Sequence, residues 1–167
     1  EETKRKLIEI GEDPSRIFAV GTLALEGICE ELVAPKEIAM KYGIDLTQPV
    51  ILVVQHSTVT EVDDAPNQIR ETLEAVVELG FQTIVAYPNA DAGGRKIIRA
   101  IHDYEKKYPF IKAYKSLSRS DYLSLMSIST LMIGNSSSGI IEAPSLGIPV
   151  INVGNRQKGR MRAVNII

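Results

Sequence analysis

The residues of this chain that can do chemistry sit in polar turns directly behind apolar runs. The turn after "TLMIG" reads Asn135-Ser136-Ser137-Ser138-Gly139 and leads into "IIEAPSLG". At a helix start the first backbone N–H groups have no internal partner and the helix dipole is positive, so a phosphate there collects several charge-assisted hydrogen bonds. Serine hydroxyls add donors without bulk, and Gly134 and Gly139 let a backbone come close. A plain N-cap with spare serines is the competing reading. Glu142, six residues past Ser136, is expected on the second turn of that helix. Its carboxylate can accept from the vicinal hydroxyls of a ribose, or simply complement the helix dipole.

The other turns carry His56-Ser57-Thr58, Asn89 to Arg95, Lys115-Ser116-Leu117, and "GNRQKGR" (154–160). Arg156 and Arg160 can reach a diphosphate or serve only solubility. His56 is a catalytic or a structural strand-end histidine; His102, inside a charged helical pattern, is expected at the surface.

The elements that must position these turns alternate. Apolar, β-branched runs at 16–21, 50–56, 83–88, 111–115, 130–135 and 148–154 read as strands. Between them, 66–80 and 93–108 have apolar residues at helical spacing, with Gly80 as a stop, and 118–128 opens on a capping-type serine. The stretch 23–49 reads as one or two helices and a loop, and 57–68 as a polar loop. Near-continuous apolar strands alternating with helices predict an α/β fold: a doubly wound parallel sheet of about six strands, covered on both faces. Such sheets bind ligands at the carboxyl ends of their strands, so the polar turns should converge on one edge.

With 167 residues, 44% hydrophobic and 24% charged, the chain has the proportions of one globular domain with a real core. A net charge of −2 offers no general attraction to nucleic acid or an anionic membrane. No apolar run is long enough to span a bilayer and the charged start has no signal-peptide core, so a cytoplasmic protein is expected. The single cysteine, Cys29, excludes an intrachain disulfide framework and is expected to be core or half-buried. Both ends look cut, and "RMRAVNII" reads as the start of a new element, so the chain is expected to be a piece of a longer protein.

There is no Walker lysine motif, GxGxxG, paired CxxC or HExxH, and nothing calls for a cofactor or a metal. Asp63-Asp64 is best read as a solvated loop.

"GNSSSGIIEAPSLGIPVINVGNRQKGR", with "QHSTVTE" and "YPNADAGGR" in the same order, resembles the hydrolysing UDP-N-acetylglucosamine 2-epimerases of sialic acid biosynthesis, over essentially the whole chain. The resemblance implies one half of a GT-B enzyme: a single Rossmann-like, UDP-binding domain over 1–167, with 1–49 as a lead-in helix, strand and crossover region. It assigns UDP contacts to His56, Asn89, the main chain near Leu117, Ser136, Ser137, Glu142 and Arg156, and gives His56 a part in catalysis. The family eliminates UDP anti across C1 and C2 to give a glycal, then adds water to release N-acetylmannosamine. The carboxylates it uses as acid and base belong to an N-terminal domain absent here, so the chain alone is expected to be inactive. Its partners are then UDP-N-acetylglucosamine or UDP, that N-terminal domain and, in the whole enzyme, further copies in a homo-oligomer.

Two positions depart from the pattern. Ser57 stands where relatives often have proline, and Arg95 where the animal bifunctional enzymes have a lysine of the feedback site. The alternatives are a non-hydrolysing epimerase, a hydrolysing one acting on a diacetamido sugar, a non-catalytic nucleotide-sugar module, and a GT-B glycosyltransferase donor domain.

Overall fold

The computed structural model describes residues 2–167. Its centre is a parallel sheet of β1 (Val50–Val54), β2 (Gln82–Ala86), β3 (Ile111–Tyr114), β4 (Leu131–Gly134) and β5 (Val150–Asn152), in the order β3-β2-β1-β4-β5. In register, Leu52 of β1 pairs with Ile84 on one side and Met132 on the other. The helices are α1 (Glu2–Glu9), α2 (Pro35–Tyr42), α3 (Ala65–Leu79), α4 (Gly94–Lys107), α5 (Arg119–Ser127) and the single turn α6 (Ser138–Ile141).

Every residue of β1 is buried, because both faces of the strand are covered. Val50, Leu52 and Val54 face a core built with Ile38 and Tyr42 of α2 and Leu125 and Met126 of α5. Ile51 and Val53 face the opposite core, with Ile69, Leu73 and Val76 of α3 and Ile97 and Ile101 of α4. The period-two alternation of the strand and the apolar stripes of α3 and α4 thus meet in two layers. Gly80, in the left-handed region at φ 68°, ends α3, and Ser118 caps α5 by accepting from the N–H of Asp121.

Three expectations are corrected. Residues 16–21 are not a strand: Phe18 and Val20 are 78% and 85% exposed, and no described strand pairs with them. Cys29 is exposed rather than core or half-buried. The helix expected after the serine turn, with Glu142 on its second turn, is one turn long, because Pro144 has no N–H to continue it, and the residue before a proline is disfavoured in helix.

The sheet therefore has five strands among the described residues, with an isolated bridge at its edge. Val150 donates to Asn165 O at 2.8 Å and Ile167 N to Val150 O at 2.9 Å, forming a parallel bridge between Val150 and Ile166. No further helix or strand is formed in "RMRAVNII" beyond this bridge. Asp63 is solvent-exposed and pairs with Lys96 at 3.2 Å, in keeping with a solvated loop. No described helix is long and apolar enough to cross a membrane.

Candidate functional site

The strand order reverses between β1 and β4, so the chain leaves these two neighbours in opposite directions and opens a crevice at their carboxyl ends. His56 follows β1, and Asn135, Ser136 and Ser137 follow β4.

Gly134 makes the approach of the two turns possible. It lies at φ 139°, and a Cβ there would sit 2.1 Å from Val54 O, so only glycine fits against the end of β1. Behind it, Asn135 is buried and ties three turns together. Its Oδ1 accepts from the His56 N–H at 2.7 Å and its Nδ2 donates to His56 O at 2.8 Å. Its own carbonyl accepts from Arg156 Nη1 at 3.1 Å and Gln157 Nε2 at 2.8 Å. The turns after β1, β4 and β5 are fixed relative to one another by this one residue.

His56 also receives a contact from the turn after β2, where Asn89 N–H donates to its Nδ1 at 3.1 Å. Nδ1 is then an acceptor, which leaves the proton of the neutral ring on Nε2. Burial, with the Arg156 guanidinium adding to it, pushes the imidazole down to about 4, against a smaller opposing pull from Asp91. At neutral pH the ring is an uncharged donor through Nε2. Asn89 reaches the site through its backbone; its side chain donates to Asp91 Oδ2 at 2.6 Å.

In the serine turn, Ser136 Oγ accepts from the Ser138 N–H at 3.3 Å, while Ser137, at the cap position of α6, makes no side-chain cap bond. Glu142 is the C-cap of α6, not a second-turn residue. Its Oε2 is buried with no hydrogen-bond partner, and burial raises the carboxyl above its ordinary range, partly offset by the Glu142 backbone and by Arg119. An orphaned buried carboxylate oxygen costs free energy, and it is an acceptor for any donor that enters.

Two hollows open along this edge. The smaller, about 230 Å³, is walled by His56, Leu117, Tyr122, Ser136 and Ser138 among others. The larger, about 830 Å³, runs over Asn89 to Lys96, and Tyr87 and Lys115 belong to both. The structure thus gathers His56, Asn89, Leu117, Ser136 and Arg156 on one edge, with Ser137 and Glu142 in the adjoining serine turn and its helix. Arg160 is exposed. His102 is exposed as expected, and hydrogen-bonds the Tyr87 hydroxyl at 2.7 Å.

The chemistry of Asn135, Gln157 and Tyr122 was not foreseen. A buried amide directly after a strand that ends in a positive-φ glycine is the signal that could have found Asn135. Nothing in the spacing marks Tyr122, which reaches the site from α5.

A Legionella pneumophila protein named UDP-N,N'-diacetylbacillosamine 2-epimerase (hydrolyzing) is 36% identical over 168 residues, covering 100% of this chain and 44% of its own length. A Campylobacter jejuni GDP/UDP-N,N'-diacetylbacillosamine 2-epimerase (hydrolyzing) is 34% identical over 167 residues, covering 98% of this chain and 44% of the relative. The chain therefore spans less than half the length of these relatives. The crystal structure of UDP-GlcNAc 2-epimerase from Neisseria meningitidis bound to UDP-GlcNAc superposes with a TM-score of 0.76 at 18% identity, over 90% of this chain and 42% of that one, a likeness of fold. The sequence profile of the UDP-N-acetylglucosamine 2-epimerases matches residues 1–167, and the chain belongs to that family.

Proposed function

We propose that the chain is the UDP-binding half of a hydrolysing UDP-N-acetylglucosamine 2-epimerase, a single nucleotide-binding domain with 1–49 as its lead-in. One observation carries the reading. Neutral His56, Arg156 and the serine turn are locked together by Asn135 at the strand-order reversal, beside a glutamate whose buried oxygen lacks a partner. Diphosphate against Ser136, Ser137 and Arg156, ribose hydroxyls on Glu142 and the base along the main chain of Leu117 would satisfy all of these groups at once.

Loss of UDP from C1 puts negative charge on the departing oxygen, so donors aimed there stabilise the transition state more than the ground state. The Nε2–H of His56, the serine hydroxyls and Arg156 are such donors. With the ring depressed to about 4, His56 holds the leaving phosphate by hydrogen bonding rather than delivering a proton as an imidazolium. The groups that take the C2 proton and guide water to the glycal belong to the rest of the enzyme, so this chain alone binds nucleotide without turnover.

A second reading concerns the sugar. The Legionella and Campylobacter relatives are named for a diacetamido substrate, which favours a hydrolysing epimerase acting on UDP-diacetylbacillosamine. Incubating the full-length enzyme with each UDP-sugar and identifying the released sugar tests both. Release of a free 2-epimerised sugar with UDP supports the hydrolysing reading. Recovery of a UDP-linked epimer, or transfer of sugar to an acceptor, contradicts it, as does turnover by this chain by itself.

A further inference from the structure

Ser136 has more hydrogen bonds entering its hydroxyl than a capping serine needs. The Ser138 N–H donates to Ser136 Oγ at 3.3 Å, and the Ser138 hydroxyl donates to the same oxygen at 2.8 Å. The backbone donor has no rotational choice, so Ser136 Oγ is an acceptor there whatever the side chains do. With the Ser138 proton committed to Ser136, the short contact between Ser138 Oγ and Tyr122 OH can be made only with tyrosine as the donor. Burial pushes the Tyr122 phenol up to about 12, so its proton is present at every working pH.

We infer that Tyr122, Ser138 and Ser136 form a one-way chain of hydroxyl donors that makes Ser136 an obligate donor to an anionic oxygen in the crevice, with Tyr122 as the positioning residue. Both lone pairs of Ser136 Oγ are occupied from the protein side, so it has nothing left to accept with. Its remaining proton meets the hollow that His56, Tyr122, Ser136 and Ser138 wall. A phosphate oxygen, which only accepts, fits there; an ammonium group, which only donates, does not. Each link polarises the next, so the last O–H is a stronger donor than an isolated serine. Tyr122 reaches the turn from α5, 16 residues away in sequence, and removing its hydroxyl removes the donor at the head of the chain.

This inference rests on the nucleotide reading of the site and sharpens it: the chain selects the phosphate part of the ligand. The test titrates the protein with UDP and with uridine, followed by ligand-observed NMR, for wild type, Tyr122→Phe, Ser138→Ala and the double variant. The expected result is an affinity for UDP about fivefold weaker in each single variant, with uridine unchanged. The double variant should be no weaker than the worse single one, because the two changes cut the same chain. Equal loss for UDP and uridine would mean general loosening of the turn and would overturn the inference, as would unchanged UDP affinity in Tyr122→Phe. If wild type takes up uridine and UDP equally well, the phosphate site is absent and the nucleotide reading falls with it.

Discussion

The carboxamide of Asn135 closes two hydrogen bonds on the backbone of His56, at 2.7 and 2.8 Å, and so joins the turn after β4 to the turn after β1 across the crevice. Both bonds are made by one buried side chain. Asn135→Ala leaves the N–H and carbonyl of His56 without these partners. A loss of about 3 kcal/mol in stability is expected, with UDP affinity falling roughly tenfold as the turns drift apart. Urea denaturation and UDP titration of the same variant check the two effects. Asn135→Asp keeps the acceptor but turns a carboxylate oxygen toward His56 O, and should not restore wild-type stability.

The depressed imidazole makes stability depend on pH in a predictable direction. The unfolded histidine takes its proton near 6.5 and the folded one near 4, so between those values the unfolded state binds more protons. The contribution of His56 is complete above about pH 6.5 and is lost as pH falls toward 4. Carboxylates titrate across the lower part of the same window, so the readout is the difference between wild type and His56→Gln. The wild-type stability should fall more steeply between pH 6.5 and 4 in chemical denaturation, and parallel curves would contradict the assignment.

Burial of the Glu142 carboxyl costs stability at neutral pH. Its raised carboxyl binds protons in the folded state above the ordinary range, so its contribution is present at low pH and lost as pH rises through the raised value. At pH 7 Glu142→Gln should therefore be at least as stable as wild type, while UDP affinity drops about tenfold with the loss of a charged acceptor for the ribose. Thermal denaturation with and without UDP separates the two: the variant's midpoint matches or exceeds wild type when free and gains less on adding nucleotide.

Gly134 tolerates no side chain. A Cβ at 2.1 Å from Val54 O cannot be relieved without pulling β4 from β1, so Gly134→Ala should cost about 3 kcal/mol or more. Its yield of soluble protein and its denaturation midpoint measure that cost.

Much of this architecture was legible because β1 to β5 are apolar runs of strand length separated by helical patterns and punctuated by Gly80 and Ser118. The edge that carries the polar turns followed from the parallel topology alone. Residues 16–21 failed because an apolar, β-branched run is a strand only where a neighbour pairs with it, and Phe18 and Val20 lie exposed without one. The helix after the serine turn is shorter than its capping serines suggest, because Pro144 stops it after one turn. Asn135 and Tyr122 were invisible as partners of His56 and Ser138, since contacts between residues 79 and 16 positions apart depend on how the strands are ordered.

The edge shared by His56, the serine turn and Arg156 is the proposed UDP site. Calorimetric titration of the protein with UDP, repeated on Ser137→Ala and Arg156→Ala, tests it most directly. Saturable binding to wild type, weakened by both substitutions while the fold is retained by circular dichroism, is the predicted result. A folded wild-type protein that takes up no UDP at millimolar concentration, or binding untouched by both substitutions, would contradict it.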